Sequence, residues 1–382
     1  MMVKYLSDEL MRRGHEVAVF SNPSIYRLLK SAEPKKDDRT DAPSIHACEY
    51  SPLSGRLELF ADYFLGLSDR ASKHLRTLVR DYRPDVVHWH NTKGFMSTPV
   101  RVDGPISLYT AHDYYAFCPR TNLITPNSIS CLSPAYCQLC LLRWHKLPQP
   151  WRCGGRRVLR LPSDTRVIAP SQYMATRLEA EGIKSPRVIR NFVLDRGIVS
   201  GPTHRDSMTY LGVLEPHKGL GTLMDAFMKS ASSHDFNLNI IGQGSMKGSL
   251  ESRASKSGLS DRIRIHGFIP YSQLDEILRG TAALLVPSEW PENSPLVVLE
   301  ALSKGIPVIG SRVGGLPEII NEASGSLLFE PGDVTQLSEA MQTVWSDGDF
   351  SSTRQRKARV SYESMFTPDA HINAYLRLIH SI

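Results

Sequence analysis

Short continuous apolar runs alternate with helix-like runs along almost the whole chain. Apolar runs of this length are typical of strands that are covered on both faces of a sheet. The predicted strands are Glu16–Phe20, Asp85–His90, Ile106–Thr110, Val167–Ala169, Val188–Arg190, Met208–Leu211, Leu238–Ile241, Ile263–His266, Ala283–Val286 and Pro307–Gly310. The predicted helices between them are Leu223–Ser230, Gln273–Arg279, Pro295–Lys304 and Gln336–Trp345. This alternation predicts an α/β fold with doubly wound parallel sheets.

The pattern breaks once, at Asp195–Ser207, where Gly201, Pro202 and several polar residues interrupt it. A chain of 382 residues exceeds what one core usually spans, so two domains are expected. We place them at residues 1–200 and 201–365. Because open α/β domains bind ligands at the carboxyl ends of their strands, we expect a binding cleft where the two domains meet.

Composition narrows the class of protein further. With 41% hydrophobic and 22% charged residues, the chain is typical of globular proteins and not of disordered ones. No apolar run reaches the roughly 18 to 20 residues that span a bilayer, and the first residues lack the apolar core of a signal peptide. These features predict a cytoplasmic protein. The net charge of +6 does not imply a nucleic-acid partner.

Two carboxylates flank a predicted helix start in the segment 284–302. A buried strand ends at Val286, a polar loop follows, and a helix begins near Pro295, a residue favoured in the first turn. The free amide groups of such a turn suit a phosphate. Glu292 precedes the helix and Glu300 lies inside it, so both side chains can reach one ligand.

Two further loops carry residues suited to binding a diphosphate. Downstream, Gly314 and Gly315 allow close approach of the backbone before another helix start. Upstream, the segment Gly212–Gly219 follows a predicted strand and places Lys218 just before a helix. A cation at a junction between loop and helix favours the binding of phosphate groups.

These motifs resemble those of retaining glycosyltransferase family 4, the glycosyl transferases group 1. The family signature of two glutamates separated by seven residues is matched by Glu292 and Glu300, and its Gly-Gly-x-x-Glu motif by residues 314–318. Further matches are Arg83–His88, His112–Tyr114, Gly242–Gly244 and Phe366–Pro368. The resemblance covers nearly the whole chain and implies the GT-B fold, two Rossmann-like domains facing a central cleft.

The resemblance also implies roles for individual residues. Glu300 would bind the ribose hydroxyls of a nucleotide-sugar donor, and Glu292 would contact the donor sugar. Lys218 would neutralise the leaving diphosphate, and His112 would face the sugar from the first domain. The remaining donor-binding residues implied are Gly212, Gly219, Asn293, Ser294, Pro295, Leu296, Gly314 and Gly315.

The activity implied is transfer of a sugar from a nucleotide-diphosphate sugar to a hydroxyl acceptor with retention of configuration. The acceptor would be a glycan or lipid-linked molecule in polysaccharide or glycolipid assembly, and no cofactor or catalytic metal is required. The last segment, 366–382, would form a helix that crosses back to the first domain. Three alternatives remain open. The first is a catalytically silent or truncated homologue that acts as a partner subunit, and the second is a sugar-nucleotide epimerase or phosphorylase of the same fold. The third is a structural or interaction module, which is disfavoured because the clustered Gly, Lys and Glu positions have no packing reason.

Two features depart from the family pattern. The spacing of Leu6 and Leu10 predicts that the chain begins inside the first helix, so the first strand of the family and its Gly-rich loop are absent. Either the start is misassigned or the protein is truncated. At the second departure, Val213 replaces an arginine that the family carries after Gly212. One phosphate-binding cation is thereby lost, at a cost of about 1.5 to 3 kcal/mol for a charge-assisted contact.

The glycines Gly242, Gly244 and Gly248 are superficially similar to a dinucleotide-binding loop. The third glycine lies one residue further along than the dinucleotide-binding motif requires. The acidic residue Asp261 precedes the strand Ile263–His266, whereas the motif has an acidic residue at the end of that strand. We therefore interpret the segment as a tight turn between a strand and a helix.

Four of the six cysteines cluster in the first half. Cys137 and Cys140 have the spacing of a zinc knuckle, whereas Cys118 and Cys131 do not. The cluster leaves two interpretations open, a structural zinc site and ordinary thiols.

The segment 143–160 combines cations with aromatic residues. Its members are Arg143, Lys146, Arg152, Arg156, Arg157, Arg160, Trp144 and Trp151. This mixture suits the surface of an anionic membrane, and the alternative is a solvated loop. The first interpretation places the protein at the inner face of the membrane.

Overall fold

A computed structural model describes the ranges 2–21, 43–48, 52–66, 68–90, 92, 96, 98–125, 131, 137–152, 159, 161–198, 205–346 and 353–382. The chain divides into two compact units. Unit 1 comprises Met1–Ile189 and Ile372–Ile382, and unit 2 comprises Arg190–His371. Unit 1 therefore ends at Ile189, earlier than the boundary that the sequence pattern suggests at residue 200, and it also includes the C-terminal residues.

Unit 1 contains two parallel sheets among its described residues. Its elements are α1 (Met2–Arg12), β1 (Ala18–Ser21), β2 (Ser44–Ala47), α2 (Pro52–Leu65), α3 (Asp69–Tyr82), β3 (Val86–Trp89), β4 (Ile106–Thr110), α4 (Cys137–Arg143), β5 (Arg166–Ala169), α5 (Gln172–Ala180) and β6 (Arg187–Val188). Strands β3, β4, β5 and β6 form one sheet in that order, and β1 pairs with β2 in the other.

The core of unit 1 joins the chain termini to the four-stranded sheet. Leu108 on β4 and Ile168 on β5 are buried together with Tyr375, and Leu10 of α1 packs against this cluster. Tyr375 lies on the last helix, α12 (Pro368–His380), whose residues from Ile372 onward belong to unit 1. Helix α1 starts at Met2.

Unit 2 is built on one six-stranded parallel sheet. Its elements are β7 (Ser207–Leu211), α6 (Leu220–Ser230), β8 (Asn237–Ile241), α7 (Lys247–Lys256), β9 (Ile263–Gly267), α8 (Tyr271–Arg279), β10 (Thr281–Val286), α9 (Leu296–Ser303), β11 (Val308–Ser311), β12 (Leu327–Phe329), α10 (Val334–Ser346) and α11 (Thr353–Met365). The strand order is β12-β11-β10-β7-β8-β9, and every neighbouring pair is parallel.

Helices cover both faces of this sheet, and each face has its own apolar core. One core contains Leu223 of α6 and Leu250 of α7, and the other contains Val298 of α9 and Tyr362 of α11. All six residues of β10 are buried because it lies between the two cores. The predicted α/β, doubly wound architecture is therefore confirmed.

Each predicted strand overlaps an observed one, but β2 and β12 were not predicted. Strand β2, Ser44–Ala47, has polar residues at alternate positions and therefore lacks a continuous apolar run. Strand β12, Leu327–Phe329, has only three residues, which is too short for a periodic signal.

Candidate active site

The centre of the unit 2 sheet is a topological switch point. Strands β7 and β10 are neighbours there, and the chain winds outward from them in opposite directions, through β8 and β9 on one side and through β11 and β12 on the other. Open α/β sheets bind ligands in the crevice outside the carboxyl ends of such a pair. The loops that leave these two ends are 212–219 and 287–295, which carry Lys218 and Glu292.

Lys218 and Glu292 form an ion pair at this switch point. The ammonium Nζ of Lys218 donates to Oε1 of Glu292 at 2.6 Å and lies 4.7 Å from the ring centroid of Trp290. The two side chains are only 18% and 9% exposed, so water screens their charges weakly. The structure thus brings together two of the residues that sequence motifs single out, in a charge-assisted contact supported by an aromatic face.

Glycines allow the loops around this pair to touch through their backbones. Gly219 has φ +70°, and a Cβ there would lie 1.8 Å from the carbonyl oxygen of Pro287. A Cβ on Gly314 would lie 2.1 Å from the carbonyl oxygen of Glu292, which accepts a 2.6 Å hydrogen bond from the amide of Gly315. These three glycines therefore fix the position of Glu292 and Lys218 relative to the sheet.

The loop after β8 packs equally closely against the loop after β7. A Cβ on Gly242 would lie 1.8 Å from the carbonyl oxygen of Gly212, so only glycine fits there. Glu215 accepts hydrogen bonds from the amide and hydroxyl of Ser245 at 3.0 and 2.7 Å, and this backbone contact holds the pKa of Glu215 below its usual value. This packing supports the interpretation of the Gly-x-Gly segment as a tight turn.

The loop after β7 lacks a cation at its exposed tip. The Val213 side chain is 53% exposed, and its carbonyl accepts a 2.7 Å hydrogen bond from the hydroxyl of Tyr210. Burial raises the pKa of Tyr210, and the nearby charge of Glu292 raises it further. Tyr210 therefore stays a neutral hydroxyl beneath Gly212 and supports the loop.

Helix α9 begins directly after Pro295, one residue later than the sequence predicts. Pro295 supplies no side-chain cap, so the amides of the first turn present hydrogen-bond donors and the positive end of the helix dipole. Asn293 and Ser294 are buried, and the carbonyl of Ser294 accepts a 3.2 Å hydrogen bond from Nδ2 of Asn191. The segment before the helix is therefore held rigidly, and Leu296 opens the first turn.

Glu300 lies in the second turn of α9 and is half-buried. Burial raises the pKa of its carboxyl group, while the positive charges of Arg196 and Lys304 oppose that rise. A carboxylate that has lost part of its hydration gains by accepting hydrogen bonds from the hydroxyls of a ligand.

Replacing Glu300 with glutamine is expected to stabilise the protein at neutral pH and not at pH 4. The folded carboxyl group has a raised pKa, so the wild type loses stability as the pH rises through that value, and glutamine removes this loss. Urea unfolding of both proteins between pH 4 and pH 8 measures the difference. The exposed Glu339 on α10, replaced by glutamine, is the matched control and should show no such trend. A Glu300→Gln protein that is less stable across the whole range contradicts the prediction.

In unit 1 a pair of histidines lies at the carboxyl ends of β3 and β4. These strands are parallel neighbours, so His90 after β3 and His112 after β4 lie side by side. Nδ1 of His90 is 2.8 Å from Nε2 of His112, so one nitrogen donates and the other accepts. Asp113 accepts a 2.8 Å hydrogen bond from the amide of Tyr115, which fixes the turn after His112.

His90 was not singled out from the sequence. A signal for it was present in the sequence. His88 and His90 end one predicted strand, and His112 follows the next predicted strand along the chain. His88 contacts Oγ1 of Thr110 at 2.7 Å and the hydroxyl of Tyr375 at 3.2 Å. The imidazole rings of His90 and His112 stack with centroids 5.1 Å apart, and the ring of His88 is tilted against that of His90 with centroids 4.0 Å apart.

Burial raises the pKa of the thiol of Cys140, one of the four clustered cysteines. Within the described ranges, no three His, Cys, Asp or Glu side chains are grouped to hold a metal ion. Because structural zinc requires four ligands at about 2.0 to 2.3 Å, the zinc interpretation of Cys118, Cys131, Cys137 and Cys140 has no support from this arrangement.

The basic segment is only partly a surface feature. Arg143 and Lys146 are exposed, but Arg152 is buried and donates from Nη2 to the carbonyl oxygen of Tyr115 at 2.9 Å. The prediction that Arg152 is a surface cation is therefore wrong, because its guanidinium stacks between the rings of Tyr115 and Trp151. The predicted cations at 156, 157 and 160 lie outside the described residues. Of the helices that the structure describes, none is both long and apolar enough to cross a bilayer.

Two family models together match nearly the whole chain. The model of glycosyltransferase family 4 matches residues 1–194, and that of the glycosyl transferases group 1 matches residues 197–361. The chain therefore belongs to the group 1 glycosyltransferases of the GT-B fold.

Individual relatives agree with this assignment. Glycogen synthase from Mycobacterium tuberculosis is 27% identical over 381 residues, covering 95% of this chain and 86% of that protein. The 2-deoxystreptamine glucosyltransferase of Streptomyces kanamyceticus is 28% identical over 181 residues, which is 47% of this chain. That match spans 45% of the Streptomyces protein, so the chain aligns with less than half the length of this relative.

Solved structures share the fold across the whole chain. Sucrose-phosphate synthase from Thermosynechococcus elongatus superposes with a TM-score of 0.68 at 18% identity, over 99% of this chain and 92% of that one. Anabaena HepE in complex with UDP-glucose has a TM-score of 0.66 at 17% identity, over 99% of this chain and 94% of that one. At these identities the likeness shows the fold alone.

Proposed function

We propose that the protein transfers a sugar from a nucleotide-diphosphate sugar to a hydroxyl group of a glycan or lipid-linked acceptor, with retention of configuration. The observation that carries the proposal is the Lys218–Glu292 pair, 2.6 Å apart at the switch point of the unit 2 sheet. A cation and a carboxylate held at such a point match the two halves of a nucleotide-sugar donor, its diphosphate and its hydroxyl-rich sugar.

The donor-binding roles follow from the chemistry of each group. Lys218 and the first-turn amides of α9 bind the diphosphate, because both present positive charge to an anion. Glu292 accepts hydrogen bonds from the donor sugar, and Glu300 accepts them from the ribose hydroxyls. Gly212, Gly219, Gly314 and Gly315 allow the ligand to approach the backbone, and Asn293, Ser294, Pro295 and Leu296 line the same loop.

The chemical step is driven by electrostatic stabilisation of the leaving group. As the bond between the sugar and the diphosphate breaks, negative charge grows on the diphosphate, and Lys218 with the α9 amides stabilises it. The acceptor hydroxyl attacks from the face that the diphosphate leaves, and its proton passes to the departing diphosphate oxygen. His112 faces the donor sugar and Glu292 contacts it. No cofactor is required, and no residue is assigned as a covalent nucleophile.

The proposal assigns the acceptor to the first domain, residues 1–200, and the donor to the second, residues 201–365. Family membership and the basic segment 143–160 support an acceptor in polysaccharide or glycolipid assembly and a peripheral contact with the anionic inner face of a membrane.

Incubation with a panel of nucleotide sugars and candidate acceptors tests the proposal. We expect release of a nucleotide diphosphate together with a glycosylated acceptor, whose anomeric configuration, read by NMR, matches that of the donor. An epimerised donor, or a sugar phosphate formed with inorganic phosphate, contradicts the proposal and favours the epimerase or phosphorylase. Absence of donor binding by calorimetry, with binding to another transferase, contradicts it in favour of a silent partner subunit.

A further inference from the structure

We infer that helix α2 and the segment 139–147 form one continuous surface that docks on an anionic lipid bilayer, with α2 supplying the side chains that insert. This inference deepens the proposed membrane contact and rests on it. The surface is hereafter called the docking surface.

Helix α2 exposes apolar side chains on one face. Leu57 and Phe60 are 64% and 53% exposed, Leu65 is half exposed, and the rings of Phe60 and Phe64 stack with centroids 5.4 Å apart. Positions 57, 60, 64 and 65 share one side of a helix because their spacing follows the helical repeat. An exposed apolar stripe of this kind marks an interaction surface, since soluble proteins bury such faces.

The segment 139–147 continues this apolar surface and adds positive charge. Its exposed apolar side chains are Leu139, Leu142, Trp144 and Leu147. Arg143, Lys146 and His145 lie exposed among them. Tryptophan beside apolar and basic side chains is the composition found at the interface between lipid head groups and acyl chains.

Direct contacts join the two elements into one surface. The hydroxyl of Tyr63 on α2 donates to the carbonyl of Leu147 at 2.7 Å, and Nε1 of Trp151 donates to the carbonyl of Tyr63 at 3.0 Å. A Cβ on Gly66, just after α2, would lie 3.0 Å from the Trp151 ring. The helix and the basic segment are therefore packed together within unit 1.

The charge of the docking surface indicates that it binds an anionic lipid bilayer. Arg56, Arg143 and Lys146 lie exposed on this surface, and the sequence between Asp113 and Asp164 contains no aspartate or glutamate. Helix α2 carries two acidic residues, of which Glu58 is half-buried and Asp62 is buried. A protein partner or a second copy of this chain would pair acidic groups with these cations, but two copies would place the same cations against each other. A bilayer with anionic head groups and apolar interior satisfies both the charges and the apolar side chains.

The docking surface is connected to the turn that follows His112. Arg152 stacks on the ring of Trp151 and donates to the carbonyl oxygen of Tyr115, whose amide is held by Asp113. Unit 1 thus carries the docking surface and His112 on one packed framework, which suits an enzyme whose acceptor lies in or at the bilayer.

Flotation of the full-length protein with lipid vesicles tests the inference. We compare phosphatidylcholine vesicles with vesicles that contain phosphatidylglycerol. Wild type should float with the anionic vesicles, and Leu57→Ser/Phe60→Ser should lower its partition coefficient by more than about tenfold. Arg143→Gln/Lys146→Gln should lower it by about fivefold per charge, on anionic vesicles only. Val360→Ser, which removes an exposed apolar side chain on α11, is the matched control and should bind like wild type.

Separate outcomes identify which idea fails. If wild type does not float, both the membrane contact and the docking surface are overturned. If wild type floats and Leu57→Ser/Phe60→Ser floats equally well, the role of α2 is overturned while the basic contact survives. If the double variant instead converts a dimer into a monomer in light scattering, the face joins two copies of the chain and the inference is wrong. Circular dichroism and sugar transfer to a soluble acceptor check that each variant is folded.

Discussion

Replacing Lys218 with alanine is expected to lower kcat by about two to three orders of magnitude, which is typical of removing one group that stabilises charge in a transition state. The ammonium lies at the sheet's switch point and is weakly exposed, so its interaction with a diphosphate is poorly screened by water. Because charge on the diphosphate grows as the sugar leaves, kcat should fall more than donor affinity weakens. Steady-state kinetics and calorimetry with the donor provide the two measurements.

The Lys218→Ala protein also loses the partner of Glu292, so stability must be measured beside activity. Leaving the largely buried carboxylate without its ammonium should cost about 1 to 3 kcal/mol in the free energy of unfolding. Adding Glu292→Gln to Lys218→Ala removes the unpaired negative charge. The double variant Lys218→Ala/Glu292→Gln should therefore recover part of the lost stability and none of the activity. Lys256→Ala, at the exposed end of α7, serves as the matched control. Unchanged kcat in Lys218→Ala contradicts the role proposed for this lysine.

Replacing Gly219 with alanine is expected to cost about 3 kcal/mol in stability and to lower donor affinity more than tenfold. A Cβ at this position would lie 1.8 Å from the carbonyl oxygen of Pro287, so the loops after β7 and β10 must separate. That separation moves Lys218 away from Glu292 and the start of α9. Urea unfolding and donor calorimetry measure the two effects.

Gly258 supplies a close control for this substitution. Its φ of +72° nearly equals the +70° of Gly219, yet a Cβ there would meet no atom within 4 Å. Gly258→Ala should therefore lower the free energy of unfolding only by the backbone strain, about 1 kcal/mol, and leave donor binding unchanged. Equal effects of the two substitutions would show that the contact between the loops does not position the site.

Much of the unit 2 site is predictable because its signals are local. The buried strand ending at Val286, the proline before α9 and the two glutamates lie within a few residues of one another. Their order along the chain already places Glu292 before a helix and Glu300 within it. The glycines at 314 and 315 carry a similar local signal, since a turn without side chains implies a close backbone approach.

The site in unit 1 is less predictable because its contacts join residues far apart in the sequence. His90 and His112 meet only because β3 and β4 are parallel neighbours. Arg152 resembles the other cations of its segment in sequence, but its guanidinium is buried between Tyr115 and Trp151. The apolar stripe on α2 was not predicted either, because the sequence cannot reveal which apolar face of a helix remains uncovered.

The sequence by itself determined the α/β class, the positions of most strands and the family motifs, because strand burial and helix starts are local features of side-chain polarity and backbone propensity. The tertiary structure decided that Lys218 pairs with Glu292, 74 positions away, since that pairing depends on the strand order that places β7 beside β10. It also decided which cations are exposed. Hydrogen-bond partners and burial are set by packing between distant segments, which no local pattern records.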